Sequence, residues 1–383
     1  MRLLLVVEEE NVGGAELSFL ELTRALAARC DVHLAVSRAA LDKHSPVYHS
    51  DTGNGITLHA IGHRLNPGAW TNLHSFFRRQ SARELARLIN TISPDVVIAN
   101  LPTVEWGQIV ADAAALATSQ LPVWGLLHLV QRPSTIGARL GRLRDPMVGK
   151  LLRRFSRLLT VSSAGAREIS GRYGLRLPDV LYPPTRPLEP VGSATELYQR
   201  RELVGFPPGF LLGMVGRIQL RQKGHDTALR VLTRLIQAGH QLHLMIIGDG
   251  PDTPTVRRLA DGLGITSQTR FLGWRQDVGG LIPLLDTVLL PSRFEGLPQT
   301  ALRAATAHVP VVGYSVDGLA EFLPTGFRVQ YGDESGLVTA VESLLHGTAA
   351  WPAAEMAERA AQWGSPDAAA ERLVALLGSS VGR

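Results

Sequence analysis

"YPPTRPLEPVG", residues 182–192, places four prolines in eleven positions. Proline fixes φ and lacks an amide donor, so this segment can join neither a helix interior nor a central strand. It reads as a linker, and the same pattern stands on both sides of it. Upstream, short apolar runs alternate with stretches of three- and four-residue apolar spacing. The runs are "RLLLVV" (2–7), "VHLAVS" (32–37), "ITLHAI" (56–61), "DVVIAN" (95–100), "VWGLLH" (123–128), "LLTVSS" (158–163) and "DVLYPP" (179–184). The helical spacing is clearest at 14–29, 73–91 and 138–159. Downstream, the alternation restarts with "FLLGMVG" (210–216), "HLMIIGDG" (243–250), "TRFLGW" (269–274), "TVLLPS" (287–292), "VPVVGY" (309–314) and "FRVQ" (327–330). Such alternation predicts parallel sheets covered by helices on both faces. The expectation is an α/β protein of two Rossmann-like domains, 1–185 and 186–364, facing each other across a cleft. The helix of 365–383, opened by Ser365 and Pro366, completes the first domain.

Bulk properties agree with this reading. The chain has 383 residues, 45% hydrophobic and 19% charged, which suits two ordinary cores better than one. The first apolar run ends after six residues at "EEE", so it reads as a buried strand and not as a leader peptide. No run approaches the length of a membrane span. One cysteine, Cys30, excludes an intramolecular disulfide framework and suits a reducing, cytoplasmic setting. The net charge is +5, yet residues 132–176 alone carry eleven Lys/Arg against Asp145 and Glu168. No aromatic side chains interleave with these cations in a way that suits base stacking, so nucleic acid is not the expected partner.

Ligands of open α/β sheets bind beyond the carboxyl ends of the strands, so polar clusters at those ends carry the most information. After the first strand of the second domain, "VGRIQLRQKGHD" offers Arg217 and Lys223 beside a helix start. A guanidinium fork, an ammonium and backbone N–H groups together suit a diphosphate. Read alone, the pair is equally well two exposed cations on a loop. "IIGDGP" supplies Gly248 and Gly250 for a tight turn close to a ligand. In "FLGWRQDV", Trp274 and Arg275 are candidates to border a nucleobase, although a Trp there is as often simple packing. In "PSRFEGLPQTALRAA" (291–305), Glu295 sits in a turn fixed by Gly296 and Pro298 at the start of a helix. A carboxylate there accepts hydrogen bonds from vicinal sugar hydroxyls, and the helix start offers N–H groups to a phosphate; a capping surface Glu is the plainer alternative. In the first domain, "NVGGAE" is a glycine-rich turn without the GxGxxG spacing of dinucleotide folds. His128 ends its strand at the functional edge, where a lone histidine is otherwise most often structural.

Taken in order, "GGAE", His128, "TVSSAGARE", "GRIQLRQKG", "IIGDGP", "FLGW" and "PSRFEGLPQTALRAA" resemble glycosyltransferase family 4. That family comprises retaining, metal-independent enzymes of the GT-B fold that use nucleotide sugars. The resemblance is strongest over 210–325. It implies that Arg217 and Lys223 neutralise the donor diphosphate. Glu295 holds hydroxyls of the transferred sugar, assisted by the backbone of Gly296, Leu297, Pro298 and Gln299. Gly13 and Gly14 close over the phosphates, and His128 contacts the donor sugar near the reacting carbon. Trp274 and Arg275 lie beside the base. No metal or other cofactor is expected, and the acceptor is a small-molecule or lipid-linked hydroxyl. Also by the resemblance, the first domain binds the acceptor and the second the nucleotide-sugar donor.

One position departs from the family pattern. Where it has a second Glu for the ribose hydroxyls, this chain has Arg303, which has donors only. Three readings follow: a ribose held differently, a donor carrying an extra phosphate, or a silent sugar-nucleotide-binding subunit. The basic segment bears on the acceptor. Leu140, Leu143, Met147, Leu151 and Phe155 form one stripe, with Arg142, Lys150, Arg153, Arg154 and Arg157 off it. The simplest reading makes the stripe a core face. The sharper one is peripheral contact of 138–157 with an anionic membrane face. Arg132 and its neighbours are alternatively suited to a phosphorylated soluble acceptor.

Overall fold

The computed structural model describes residues 1–49, 55–62, 75–117, 121–138, 140–203, 205–206 and 209–381. Positions 73 and 74 of the expected first-domain helix, position 139 of the basic segment, and 382–383 of the last helix lie outside these. The chain forms two compact units: Met1–Pro184 together with Pro366–Arg383, and Thr185–Ser365.

The first unit holds β1 (Arg2–Val7), β2 (Asp31–Ser37), β3 (Ile56–Ile61), β4 (Val96–Thr103), β5 (Val123–Leu129), β6 (Arg157–Thr160) and β7 (Asp179–Val180). The sheet order is β3-β2-β1-β4-β5-β6-β7, with every pairing parallel. The opening run shows why these strands read as continuous apolar segments. Successive side chains point to opposite faces, and both faces are covered. Leu4 and Val6 enter one core with Ala99 and Val110; Leu3, Leu5 and Val7 enter another with Phe19, Leu22 and Ile98. The helix Pro366–Val381 closes that second core with Ala370, Leu373 and Leu377, all fully buried. Each buried leucine contributes about 1.5–3 kcal/mol, which binds the returning chain to this unit.

The second unit holds β8 (Phe210–Val215), β9 (Leu242–Ile247), β10 (Thr269–Gly273), β11 (Thr287–Leu290), β12 (Val311–Tyr314) and β13 (Arg328–Val329). They form a parallel sheet of order β10-β9-β8-β11-β12-β13. Helix His225–Gln237 turns Ala228, Leu229, Val231, Leu232 and Leu235 toward Leu212, Leu244 and Ile246. Among the described residues, no helix is long and apolar enough to cross a membrane.

Each sheet reverses its winding once. In the first unit the reversal lies between β1 and β4, in the second between β8 and β11. At such a point the loops above two adjacent strands diverge to opposite faces and leave a crevice at the carboxyl edge.

The basic segment differs from its expected form. The helix spans Gly141–Leu152, not 138–159, because Arg157–Thr160 leaves it to become β6. The stripe is not one core face. Leu151 and Phe155 are buried, whereas Leu140, Leu143 and Met147 are 67%, 71% and 62% exposed. Periodicity groups side chains on a face but says nothing of what covers it.

Candidate active site

At the second unit's reversal, the loop after β8 meets the turn after β11. The loop carries a single helical turn, Leu220–Lys223, which ends at Gly224 in a left-handed conformation (φ 68°). An added Cβ on Gly224 would stand 2.2 Å from the Pro291 carbonyl oxygen. Only glycine lets the two loops approach this closely. The result is an ion pair between two residues chosen from the sequence: Lys223 Nζ donates to Glu295 Oε1 at 2.6 Å. The Glu295 side chain is 5% exposed and that of Lys223 19%.

The turn around Glu295 is held on several sides. Its own N–H donates to Asp317 Oδ2 at 2.8 Å, and the Arg293 N–H donates to the Gln222 carbonyl at 2.7 Å. Asp317 opens the helix Asp317–Phe322 with φ 42°, a left-handed conformation that costs a non-glycine residue on the order of 1–3 kcal/mol. This left-handed residue holds the backbone of the buried Glu295, and no sequence signal pointed to it. Gly296, Leu297 and Pro298 are buried in the turn, and Gln299 begins the helix Gln299–Thr306 with Pro298 as its N-cap. Arg303 lies one turn further along that helix, half-buried. Its Nη2 would stand 3.1 Å from a Cβ added to Gly279, which places the guanidinium against the short helix Val278–Leu281 that follows β10.

The remaining second-unit candidates divide by role. Arg217 is exposed on the loop just after Gly216. Trp274 is 54% exposed and Arg275 is exposed and paired with Asp277, both just after β10, at the outer edge of the sheet. Gly248 and Gly250 have a local reason for their identity. A Cβ on Gly248 would lie 1.9 Å from the Gly216 oxygen, and one on Gly250 2.2 Å from the Ile218 oxygen. These glycines let two strand-end loops pack backbone to backbone.

In the first unit, helix Gly14–Ala27 begins directly above the reversal. Gly13 has an extended conformation and Gly14 begins the helix, so neither needs glycine for a positive φ. A Cβ on Gly14 would meet nothing within 4 Å. Glu16 folds back so that Oε2 accepts from Gly13 N–H at 2.9 Å, while Oε1 accepts from Asn100 Nδ2 at 3.3 Å. Asn100 Oδ1 lies 2.8 Å from His128 Nε2. His128 is thus joined to the glycine turn through two residues that sequence reasoning did not single out as a set. Burial drives the His128 pKa down to about 3, so the ring is neutral.

Glu8, just beyond β1, is also buried. Its carboxylate accepts from Gly107 N–H at 3.1 Å and Val110 N–H at 3.0 Å, capping the helix Gln108–Leu116. Burial raises its pKa to about 7 despite those bonds.

Comparison with known proteins follows the same division. A family described as Glycosyltransferase Family 4 matches residues 12–185, and one described as Glycosyl transferases group 1 matches 209–347. Curated relatives include the 2-deoxystreptamine glucosyltransferase of Streptomyces kanamyceticus, 27% identical over 47% of this chain. That match spans about half of the relative's length, 49%. The glycogen synthase of Mycobacterium tuberculosis is 27% identical over 91% of this chain and 87% of its own. Among solved structures, HepE of Anabaena in complex with UDP-glucose superposes with a TM-score of 0.82 at 19% identity, covering 99% of this chain and all of the other. Sucrose-phosphate synthase of Thermosynechococcus elongatus gives 0.80 at 15% identity over the full length of both. The chain belongs to the family 4 glycosyltransferases and has their two-domain, Rossmann-like GT-B fold.

Proposed function

We propose that this chain is a retaining, metal-independent glycosyltransferase that moves a hexosyl-like group from a nucleoside diphosphate sugar to a hydroxyl. The observation that carries this reading is the Lys223–Glu295 pair at the reversal of the second sheet, 2.6 Å apart in a buried turn. A cation and a carboxylate side by side match the two ends of one donor: phosphate oxygens for Lys223, sugar hydroxyls for Glu295. In the reaction, the bond from the sugar's anomeric carbon to the diphosphate oxygen breaks. A bond to the acceptor oxygen forms on the same face, and the acceptor proton passes to the departing phosphate oxygen. Negative charge collects on the diphosphate, where Lys223 and Arg217 stabilise it; one such donor is typically worth about 3–4 kcal/mol in the transition state. Gly13 and Gly14 offer helix-start N–H groups to the same phosphates, and neutral His128 meets the transferred sugar. Gly248 and Gly250 shape the loops around the diphosphate, and Trp274 with Arg275 borders the base. UDP and glucose-type ligands in the structural neighbours support the donor class.

Arg303 selects among donors. Its guanidinium donates to ribose oxygens or to an extra phosphate, where a carboxylate would accept from hydroxyls. The test is thermal stabilisation by UDP, GDP, ADP, dTDP and phosphoribosyl diphosphate, on wild type and Arg303→Glu. A ligand at 100 times its Kd adds about 2.7 kcal/mol. One nucleoside diphosphate is expected to stabilise strongly; silence from every ligand would remove the donor assignment.

A lipid-linked acceptor, reached from the cytosolic membrane face, is favoured by exposed Leu140, Leu143 and Met147 beside exposed Arg142 and Lys150. Apolar side chains ringed by cations suit an anionic bilayer surface. Sedimentation with phosphatidylglycerol vesicles, lost in Leu143→Ser/Met147→Ser, is the expected result. No binding by wild type would leave a small soluble acceptor.

A further inference from the structure

His128 has two ring nitrogens, and only one can carry the proton when the ring is neutral. Which one does is set by its partner. Here the partner is the side-chain amide of Asn100, whose two ends are nearly indistinguishable by shape. Glu16 removes that ambiguity. When ionised, its carboxylate has only acceptors to offer, and one oxygen already takes the Gly13 N–H at 2.9 Å. The end of Asn100 facing Glu16 at 3.3 Å is therefore the NH2 group. Its oxygen is left facing His128 Nε2 at 2.8 Å, and an oxygen there requires Nε2 to be the donor.

The three side chains come from three elements that meet at the first sheet's reversal: helix Gly14–Ala27, β4 and β5. Glu16 is 2%, Asn100 0% and His128 8% exposed. Burial makes each of these hydrogen bonds costly to leave unmade. Asn100 also pairs in register with Val7 at the end of β1 and with Leu126 of β5, so its backbone is fixed on both sides.

We propose that Asn100, oriented by Glu16, is a positioning residue that locks His128 in the Nε2–H tautomer and presents Nδ1 as a hydrogen-bond acceptor to a hydroxyl of the transferred sugar. The role toward sugar rests on the proposed function; the tautomer does not. The same Glu16 ties the glycine turn to His128, so phosphate and sugar contacts are set by one hydrogen-bonded chain.

The experiment has two arms. In the first, long-range proton–nitrogen NMR spectra of 15N-labelled wild type, without any ligand, give the tautomer, with His128 assigned by its loss in His128→Gln. Protonated Nε2 and unprotonated Nδ1 are expected. An Nδ1–H form or an even mixture overturns the proposal, whatever the enzyme's activity. In the second, Asn100→Ala is expected to mix the tautomers and to lower kcat on a responding sugar donor about 10- to 100-fold, with nucleotide affinity within twofold of wild type. A mixed tautomer with unchanged kcat would overturn the positioning role while leaving the donor assignment standing. If Asn100→Ala does not fold, Glu16→Gln offers its own NH2 group to Asn100, so the amide can turn round and the tautomers are expected to mix; an unchanged tautomer there overturns the orienting role of Glu16.

Discussion

The two sheets reverse their winding in the same way, yet they put different chemistry above the reversal. In the first unit, Glu16, Asn100 and His128 form a chain whose members are all at most 8% exposed and which ends in a neutral ring. In the second, Lys223 and Glu295 form an ion pair in which the cation keeps 19% of its surface. A buried amide between a carboxylate and an imidazole has no cheap alternative partner, so it fixes geometry. A partly exposed ion pair can exchange either member for a charged ligand. On the proposed function, the first reversal holds a group still and the second releases Lys223 to the donor. Both use a carboxylate, and what differs is whether its partner is a dipole or a charge.

Lys223→Ala and Glu295→Gln test the exchangeable side most severely. Lys223→Ala is expected to weaken nucleoside diphosphate binding and to slow transfer by about 10²–10³-fold, the usual range for a lost charge-stabilising donor. Glu295→Gln is expected to lower turnover by a similar factor while nucleotide affinity measured by calorimetry is kept or tightened, because the carboxylate no longer competes for Lys223. Equal loss of nucleotide affinity in both would break the division of labour between the two residues.

Gly224→Ala asks whether the pair depends on loop approach. The left-handed φ and the 2.2 Å contact with the Pro291 oxygen predict a loss of about 2–4 kcal/mol in the denaturation free energy of the second unit. An unchanged denaturation midpoint would show that the two loops yield easily.

The rigid side makes a pH prediction with two opposite signs. His128 titrates near 6.5 when unfolded and near 3 when folded, so the unfolded chain binds the extra proton and stability falls as pH drops below 6.5. Glu8, raised to about 7 from 4.5, does the reverse: the folded state holds the proton, and stability falls as pH rises from 4.5 to 7. Each contributes at most about 1.4 kcal/mol per pH unit. The two nearly cancel between pH 4.5 and 6.5. Removing the histidine by His128→Gln leaves the Glu8 slope unopposed, so relative to wild type the first unit loses stability as pH rises from 4.5 to 6.5. A profile parallel to wild type would overturn this.

The smallest effect belongs to Asp317→Gly. Relief of left-handed strain offsets loss of the bond to Glu295 N–H, leaving stability within about 1 kcal/mol of wild type. Turnover is expected to fall severalfold as the carboxylate turn loosens. Wild-type turnover would make Asp317 a bystander.

Much of this was legible in the sequence, and the exceptions have physical reasons. Every apolar run read as a strand contains one, and the clearest are the central strands such as Arg2–Val7, which are buried on both faces and so leave unbroken apolar segments. Lys223 and Glu295 were each legible as strand-end candidates, but their pairing was not, because the sequence does not show which strand-end loops lie side by side. Asn100 was not legible: an asparagine closing "DVVIAN" carries no mark of partners 84 residues before it and 28 after it. Asp317 was hidden because its significance lies in a backbone angle. The helix Gly141–Leu152 was misjudged because an apolar stripe looks the same whether protein or solvent lies against it.

The Lys223–Glu295 contact also has a temporal consequence. With the proposed donor bound, each residue has a new partner; after transfer the sugar departs with the acceptor, and only the diphosphate still holds Lys223. Glu295 is then the one group without its counterion, and the nearest one available is the ammonium it held before. Re-forming the pair competes with the spent nucleotide, so the site resets itself by product ejection. Nucleotide dissociation timed by stopped flow is accordingly expected to be slower in Glu295→Gln than in wild type, and an equal or faster rate would show that the pair plays no part in release.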